Sequence, residues 1–89
     1  MAQGEFELVN QLGLHARAAA QLVKTANRYK CEVWVECDGQ KVNAKSIMGL
    51  LSLAAGVGLT LKVNCEGEGG EACVKDIETL IQNRFGEPR

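Results

Sequence analysis

The sequence predicts an α+β fold, an open-faced β-sandwich in which three helices cover one face of a four-stranded antiparallel sheet. Two observations predict it. Four segments alternate polar and apolar residues, as half-buried strands do, and three others repeat apolar residues at helical spacing. Their order along the chain is β-α-β-β-α-β-α, without internal repeats. Alternation of this kind is typical of an antiparallel sheet with one covered face and one solvated face.

The first strand and the first helix are separated by a glycine-led break. Residues 5–8 alternate polar and apolar, and from Ala16 to Ala26 the apolar residues recur at helical spacing. Gly13 stands between these segments, two residues before His15. Because glycine permits a tight turn, we expect His15 at the junction between a loop and a helix.

A hairpin and a short capped helix occupy the middle of the chain. Residues 31–37 and 41–43 are the two hairpin strands, and Asp38-Gly39 between them is a strong turn signal. Ser46 then precedes a short apolar segment, and we expect it to act as a helix N-cap.

A last strand and a last helix complete the predicted fold. Residues 59–65 show the cleanest alternation in the chain, and residues 71–84 form an amphipathic helix after a glycine-rich loop. The residues of this helix that we expect to face inward are Val74, Ile77, Leu80 and Ile81.

Size and composition restrict the classes of function. A chain of 89 residues is expected to form a single domain over residues 1–89, without room for a deep cleft. The net charge of −1 and 4% aromatic content argue against nucleic-acid binding. The sequence has neither a membrane-length apolar run nor a signal peptide, so we expect no membrane insertion and a cytoplasmic location.

The cysteines are expected to be reduced core residues. The chain has four, none in a C-x-x-C pair: Cys31, Cys37, Cys65 and Cys73. Without closely spaced ligands we expect no metal and no cofactor. A cysteine-based metal carrier stays open as a rival interpretation, which zinc or copper titration of the reduced protein would test.

His15, the only histidine, has neighbours suited to phosphoryl chemistry. The first amides of a helix lack internal acceptors and carry the positive end of the helix dipole, so they stabilise an anion. The same field favours a neutral imidazole, whose lone pair can attack phosphorus. Arg17, two residues later, can donate charged hydrogen bonds to the oxygens of a phosphoryl group.

Two segments resemble the HPr family, the histidine-phosphorylated carriers of the bacterial sugar phosphotransferase system. The first resembles the family's active-site segment and comprises Asn10, Gly13, Leu14, His15, Ala16, Arg17, Ala19 and Ala20. The second, residues 45–54, resembles the family's regulatory-serine segment. The resemblance extends over essentially the whole chain. One departure is Ala18, which stands where most members have proline.

The resemblance implies a phosphoryl carrier rather than an enzyme with its own turnover. Enzyme I, charged by phosphoenolpyruvate, would phosphorylate Nδ1 of His15, and the group would pass to an enzyme IIA during sugar uptake. Arg17 would hold its oxygens. Ser46 would be a regulatory site for an HPr kinase/phosphorylase. A nitrogen-related regulatory member of the family is the alternative within the same chemistry.

The family's contact patch for enzyme I and enzyme IIA also maps onto this sequence. Leu50 and Leu53 fit its inward positions. Contacts with partners that exchange quickly require only a small interface. We also expect the chain to be a monomer. The residues expected at the partner surface, beside Arg17, are Ala16, Ala20, Lys24, Ile47, Met48 and Leu51.

Overall fold

The computed structural model describes residues 2–89 and has the predicted order of elements. The strands are β1 (Ala2–Glu7), β2 (Glu32–Cys37), β3 (Gln40–Asn43) and β4 (Thr60–Glu66). The helices are α1 (Ala16–Ala26), α2 (Ile47–Ser52) and α3 (Gly70–Gln82), and a 3₁₀ turn, Arg84–Gly86, follows α3. The predicted fold class and the order β-α-β-β-α-β-α are therefore confirmed.

The four strands form one antiparallel sheet in the order β1-β4-β2-β3. Val35 of β2 lies opposite Val63 of β4, and both are buried on the same face. Trp34, which precedes Val35 in β2, lies on the other face and is half-buried. The alternation in the sequence thus corresponds to one covered and one solvated face of the sheet.

Helices and sheet share one apolar core. Leu22 of α1, Leu50 of α2 and Ile77 of α3 are fully buried in it, together with the inward side chains of β2 and β4. Leu53 is only half-buried, at the edge of this core. Burying each such side chain contributes about 1.5–3 kcal/mol to folding. The core holds the helices on the sheet and so fixes the loops that join them.

The structure corrects the predicted α3 in two respects. The helix ends at Gln82 rather than residue 84, and Cys73 is fully buried whereas Val74 and Leu80 are half-buried. Its buried line follows Cys73, Ile77 and Ile81, which are four residues apart and so lie nearly above one another on a helix. Val74 and Leu80 flank that line.

Candidate functional site

His15 lies where the sequence predicts it, at the start of α1. Its backbone is extended, with φ −87° and ψ −177°, and it is the N-cap residue of the helix. Its ring Nδ1 accepts a hydrogen bond of 3.3 Å from the backbone N–H of Arg17. The ring nitrogen therefore faces the unsatisfied amides of the first helical turn, where a negative charge is stabilised.

The loop that precedes His15 requires glycine at position 13. Its φ is +65°, and a Cβ at this position would stand 2.5 Å from the carbonyl oxygen of Ala55. Leu14 donates a backbone hydrogen bond of 2.9 Å to the same oxygen. The loop thus packs directly on the segment that follows α2, and only a residue without a side chain fits.

The other ring nitrogen of His15 contacts a residue 72 positions away in the sequence. Its Nε2 forms a hydrogen bond with Oε2 of Glu87, and the two side chains are 28% and 10% exposed. The second carboxylate oxygen, Oε1, accepts a bond of 3.0 Å from Nδ2 of the fully buried Asn10. Nδ2 of Asn10 also donates to the carbonyl oxygen of Gly13 at 2.8 Å. The side-chain amide of Asn10 therefore joins the loop at Gly13 to the carboxylate of Glu87, and this carboxylate in turn holds His15.

A left-handed turn brings Glu87 to the site. Arg84, Phe85 and Gly86 have φ values of 56°, 54° and 79°. Such values are rare for residues with side chains. Phe85 is buried in the core at 1% exposure, which anchors the turn. Farther on, the carbonyl oxygen of Arg89 accepts a bond of 3.1 Å from the amide of Gln11.

The hydrogen bonds at the Glu87 carboxylate stabilise its charged form. Partial desolvation acts to raise the pKa of Glu87, but the hydrogen bonds from Asn10 and His15, and the charges of His15 and Arg17, outweigh it and lower the pKa. An ionised carboxylate can only accept at Nε2, so the ring proton belongs on that nitrogen. In the neutral ring the lone pair then lies on Nδ1, facing the helix.

A shallow groove of about 600 Å³ surrounds the ring. Arg17 is exposed and lines this groove, and Arg89 adds a second guanidinium. Leu12, 67% exposed, provides an apolar edge. The lining residues are Gln11, Leu12, His15, Arg17, Glu87, Pro88 and Arg89. The groove thus combines a ring nitrogen that can act as a nucleophile with two guanidinium groups of the kind that can bind an oxyanion.

Ser46 is the N-cap of α2, as predicted. Its Oγ accepts a bond of 3.1 Å from the amide of Gly49, and the side chain is exposed. Next to it, Ile47 and Met48 are 42% and 78% exposed. Leu51 differs from the expectation of an exposed residue, because it is half-buried against the core.

On α1, the remaining residues of the expected partner surface are exposed. Ala16 and Ala20 lie one helical turn apart on the outer side of α1, and Lys24 lies one turn further. Ala18, at the position of the family proline, is fully buried, and α1 runs without a break through it.

Sequence reasoning missed the contribution of the C-terminal residues. Nothing in the pattern around Glu87 or Arg89 indicates a contact with His15, because the contact depends on the turn at residues 84–86. The sequence does indicate a role for Asn10 near the site, because Asn10 belongs to the segment that resembles the family's active-site segment. Its buried Oδ1 has no hydrogen-bond partner within residues 2–89, which leaves its Nδ2 as the bonding group.

Comparison with known proteins assigns this chain to a family. The family model for the PTS HPr component phosphorylation site matches residues 2–83. The phosphocarrier protein HPr of Xylella fastidiosa is 40% identical over 87 residues, which are 98% of each chain. The chain belongs to the HPr family. The resemblance noted in the sequence is thereby confirmed, and the phosphotransferase system is the setting of this family.

Solved HPr structures agree with the fold along its whole length. HPr-C-His of Thermoanaerobacter tengcongensis superposes with a TM-score of 0.96 at 44% identity, covering 100% of both chains. An HPr dimer of the same organism gives a TM-score of 0.78 at 45% identity, covering 98% of this chain and 100% of the other. Within residues 2–89, none of the helices is long and apolar enough to cross a membrane.

Proposed function

We propose that the chain carries a phosphoryl group on Nδ1 of His15, received from enzyme I and passed to an enzyme IIA. One observation carries the proposal above all: Nε2 of the ring is occupied by Glu87, while Nδ1 points at the amides that begin α1. Each of these contacts favours a different stage of the transfer.

Before transfer, Glu87 holds the ring in the reactive tautomer. The Nε2–H donates to the carboxylate, so the lone pair lies on Nδ1, where it accepts the long hydrogen bond of 3.3 Å from the Arg17 amide. This lone pair leaves the weak hydrogen bond when it attacks phosphorus. The new N–P bond forms as the bond from phosphorus to the donor breaks, and its electron pair leaves with the donor. The ring keeps its proton on Nε2, so Glu87 retains its hydrogen bond and balances positive charge on the ring.

After transfer, the phosphoryl dianion lies at the N-terminus of α1. The amide of Arg17 already points at Nδ1, and the guanidinium of Arg17 lines the same groove. Ala18 has a backbone N–H where a proline would have none, so it adds a donor in the first turn. These groups stabilise the carried group without a cofactor, and the chain is a carrier consumed and regenerated by its partners rather than an enzyme.

The exposed residues beside His15 form the docking surface for enzyme I and enzyme IIA in this proposal. Ala16 and Ala20 leave the ring accessible, Lys24 adds a positive charge, and Met48 supplies an apolar contact. Such a surface is small, which suits partners that must dissociate after each transfer.

The test of the carrier proposal is transfer from phosphoenolpyruvate through purified enzyme I. The chain should gain one acid-labile phosphoryl group, detected by intact-mass spectrometry. His15→Ala should abolish the gain, and Ser46→Ala should not. Acid-stable labelling, or full labelling of the His15→Ala variant, would refute the assignment.

We further propose that Ser46 is a regulatory phosphorylation site for an HPr kinase/phosphorylase. The exposed Oγ stands beside Ile47 and Met48, so a phosphate there places about two negative charges next to the docking surface. Such charges must be desolvated when a partner covers the patch, and they repel acidic groups on it.

Ser46→Asp tests this switch. Aspartate is itself a good N-cap, so the melting temperature should be kept or raised, while phosphorylation of His15 by enzyme I should slow. Ser46→Ala should remain a good carrier. If Ser46→Asp accepts the phosphoryl group at the wild-type rate, Ser46 acts only as a helix N-cap. If transfer is slow but the variant is also unfolded, the substitution has damaged the fold and does not mimic regulation.

Single-domain organisation over residues 1–89 and a monomeric state complete the proposal. The nitrogen-related branch of the family would use the same His15 chemistry. The two branches differ in their partners, so transfer to a sugar-specific enzyme IIA is the result that supports sugar uptake. Sedimentation at several concentrations checks the monomer against a dimer such as the one solved for Thermoanaerobacter tengcongensis.

A further inference from the structure

Three of the four cysteines converge at the end of the sheet that is remote from His15. The Sγ atoms of Cys31, Cys65 and Cys73 all lie within 4.8 Å of one another. Their residues are 2%, 0% and 0% exposed. From the sequence we expect no metal site, because these cysteines are far apart along the chain. The fold brings their sulfur atoms close together.

Three different elements bring these thiols together. Cys31 directly precedes β2, Cys65 lies near the end of β4, and Cys73 lies in the first turn of α3. Gly70 allows α3 to begin against β4, since a Cβ there would stand 2.8 Å from the carbonyl oxygen of Cys65. The cluster is therefore built into the junction between the sheet and α3.

We propose that Cys31, Cys65 and Cys73 form a trigonal thiolate site for copper(I). Three sulfurs suit a soft ion, and no fourth histidine, cysteine or carboxylate ligand joins the cluster in the described chain. Structural zinc needs four ligands, and the cluster in the described part of the chain offers three. Copper(I) accepts three.

Binding exchanges protons for the metal. The empty site consists of three buried free cysteines. Each Cu–S bond replaces an S–H bond, and the three protons pass to solvent without any change in the oxidation state of copper. Lys45, whose charge stabilises the thiolate of Cys65, offsets part of the resulting negative charge.

The glycine-rich loop before α3 provides the entry path. A surface depression of about 480 Å³ borders it, lined by Ala2, Gly67, Gly69, Gly70, Glu71 and Ala72. The Cα of Cys31 lies 3.4 Å from where a Cβ on Gly67 would stand, so this loop packs directly on one member of the cluster. The exposed carboxylates of Glu66, Glu68 and Glu71 attract cations to the same face.

Anaerobic titration with copper(I), in competition with the chelator bicinchoninate, tests the site. Wild-type protein should withdraw one copper(I) ion, release three protons and gain about 10 °C or more in melting temperature at a hundredfold excess over Kd. Cys73→Ala removes one of the three ligands and should lose more affinity than the roughly 10- to 100-fold typical when only a group that orients a ligand is removed. X-ray absorption at the copper edge should count three sulfur neighbours in the wild-type complex.

Cys37→Ala is the matched control. Cys37 is also buried, but it ends β2, about 20 Å along the strand from Cys31. This variant and His15→Ala should bind copper(I) as the wild type does, which separates the proposal from the phosphocarrier function. Failure of wild-type protein to compete with bicinchoninate would overturn it. Equal losses in the Cys37 and Cys73 variants would do so too, as would a fourth ligand at the copper.

Discussion

His15 differs from an ordinary helix-capping histidine because different parts of the chain engage its two ring nitrogens. Arg17 donates its amide to Nδ1 from within the same turn, whereas Glu87 binds Nε2 from the far end of the sequence. A ring held at both nitrogens loses rotational freedom before the reaction begins. In the proposed transfer, such preorganisation would lower the entropic cost of reaching the transition state.

Arg17 is the side chain expected to contribute most to holding the transferred group. Arg17→Ala should slow transfer from enzyme I by about ten- to a hundredfold, since hydrogen bonds to charged groups are worth about 1.5–3 kcal/mol. Stopped-flow or quench-flow kinetics would measure the change, and circular dichroism would verify the fold. Arg28→Ala, which removes an exposed arginine outside the groove, is the control. Unchanged kinetics for Arg17→Ala would remove Arg17 from the site.

Glu87 should make stability depend on pH in a defined window. Its pKa is lowered in the fold, so its stabilising effect is fully present above the ordinary value of about 4.3 and is lost as pH falls through the lowered pKa. Glu87→Gln should therefore melt below the wild type at pH 7, and the gap in melting temperature should narrow as the pH falls below about 4.3 and through the lowered pKa. Thermal melts across this range measure the gap.

Glu68→Gln controls for loss of a negative charge, because Glu68 is exposed in the loop before α3. A gap in melting temperature between wild type and Glu87→Gln that stays constant from neutral to acid pH would contradict a stabilising role for the charge of the Glu87 carboxylate. In that case the side-chain oxygen of the substituted glutamine would still accept the hydrogen bond from Asn10, and the charge of the carboxylate would not contribute to stability.

At the scale of elements, the loop before α1 depends on contact with the segment after α2. Gly13→Ala should lower stability more than Gly39→Ala. Both glycines have positive φ, but Gly39 has open space around it whereas Gly13 abuts the Ala55 carbonyl oxygen. Gly39→Ala, in the hairpin turn between β2 and β3, should lower the free energy of unfolding by about 1–2 kcal/mol through backbone strain alone. Chemical denaturation of the two variants gives the comparison, and equal losses would refute the close packing.

The strands and helices were predictable because each buries one face, and burial leaves a period of two or 3.6 in the sequence. The end of α3 was less predictable. Its apolar pattern runs toward Phe85, whose burial belongs to the following turn and not to the helix. The contact between His15 and Glu87 leaves no local pattern at all, because it depends on that turn.

At the scale of the whole molecule, α3 connects two chemically different ends. The cysteine cluster lies at its first turn, and the chain leaving its last turn reaches His15. From Cys73 to Gln82 the helix axis rises by about 14 Å. The sequence places the histidine correctly but separates the three cysteines, since their approach is a property of sheet register and helix packing.

All four cysteines are unpaired and buried. Protein purified without added copper should therefore show four free thiols under denaturing conditions in the absence of reductant, and its unfolding should not depend on reductant. Thiol titration and paired melts check this. A defined disulfide in freshly purified protein would contradict the reduced core.

The central claim, that Glu87 directs phosphorylation to Nδ1 of His15, is tested most directly by ¹⁵N NMR. Histidine-labelled protein would be phosphorylated with enzyme I and phosphoenolpyruvate, and the ring nitrogen coupled to phosphorus would be identified. We expect the phosphoryl group on Nδ1 and a proton on Nε2. A phosphoryl group on Nε2, or none on the ring, would contradict the account.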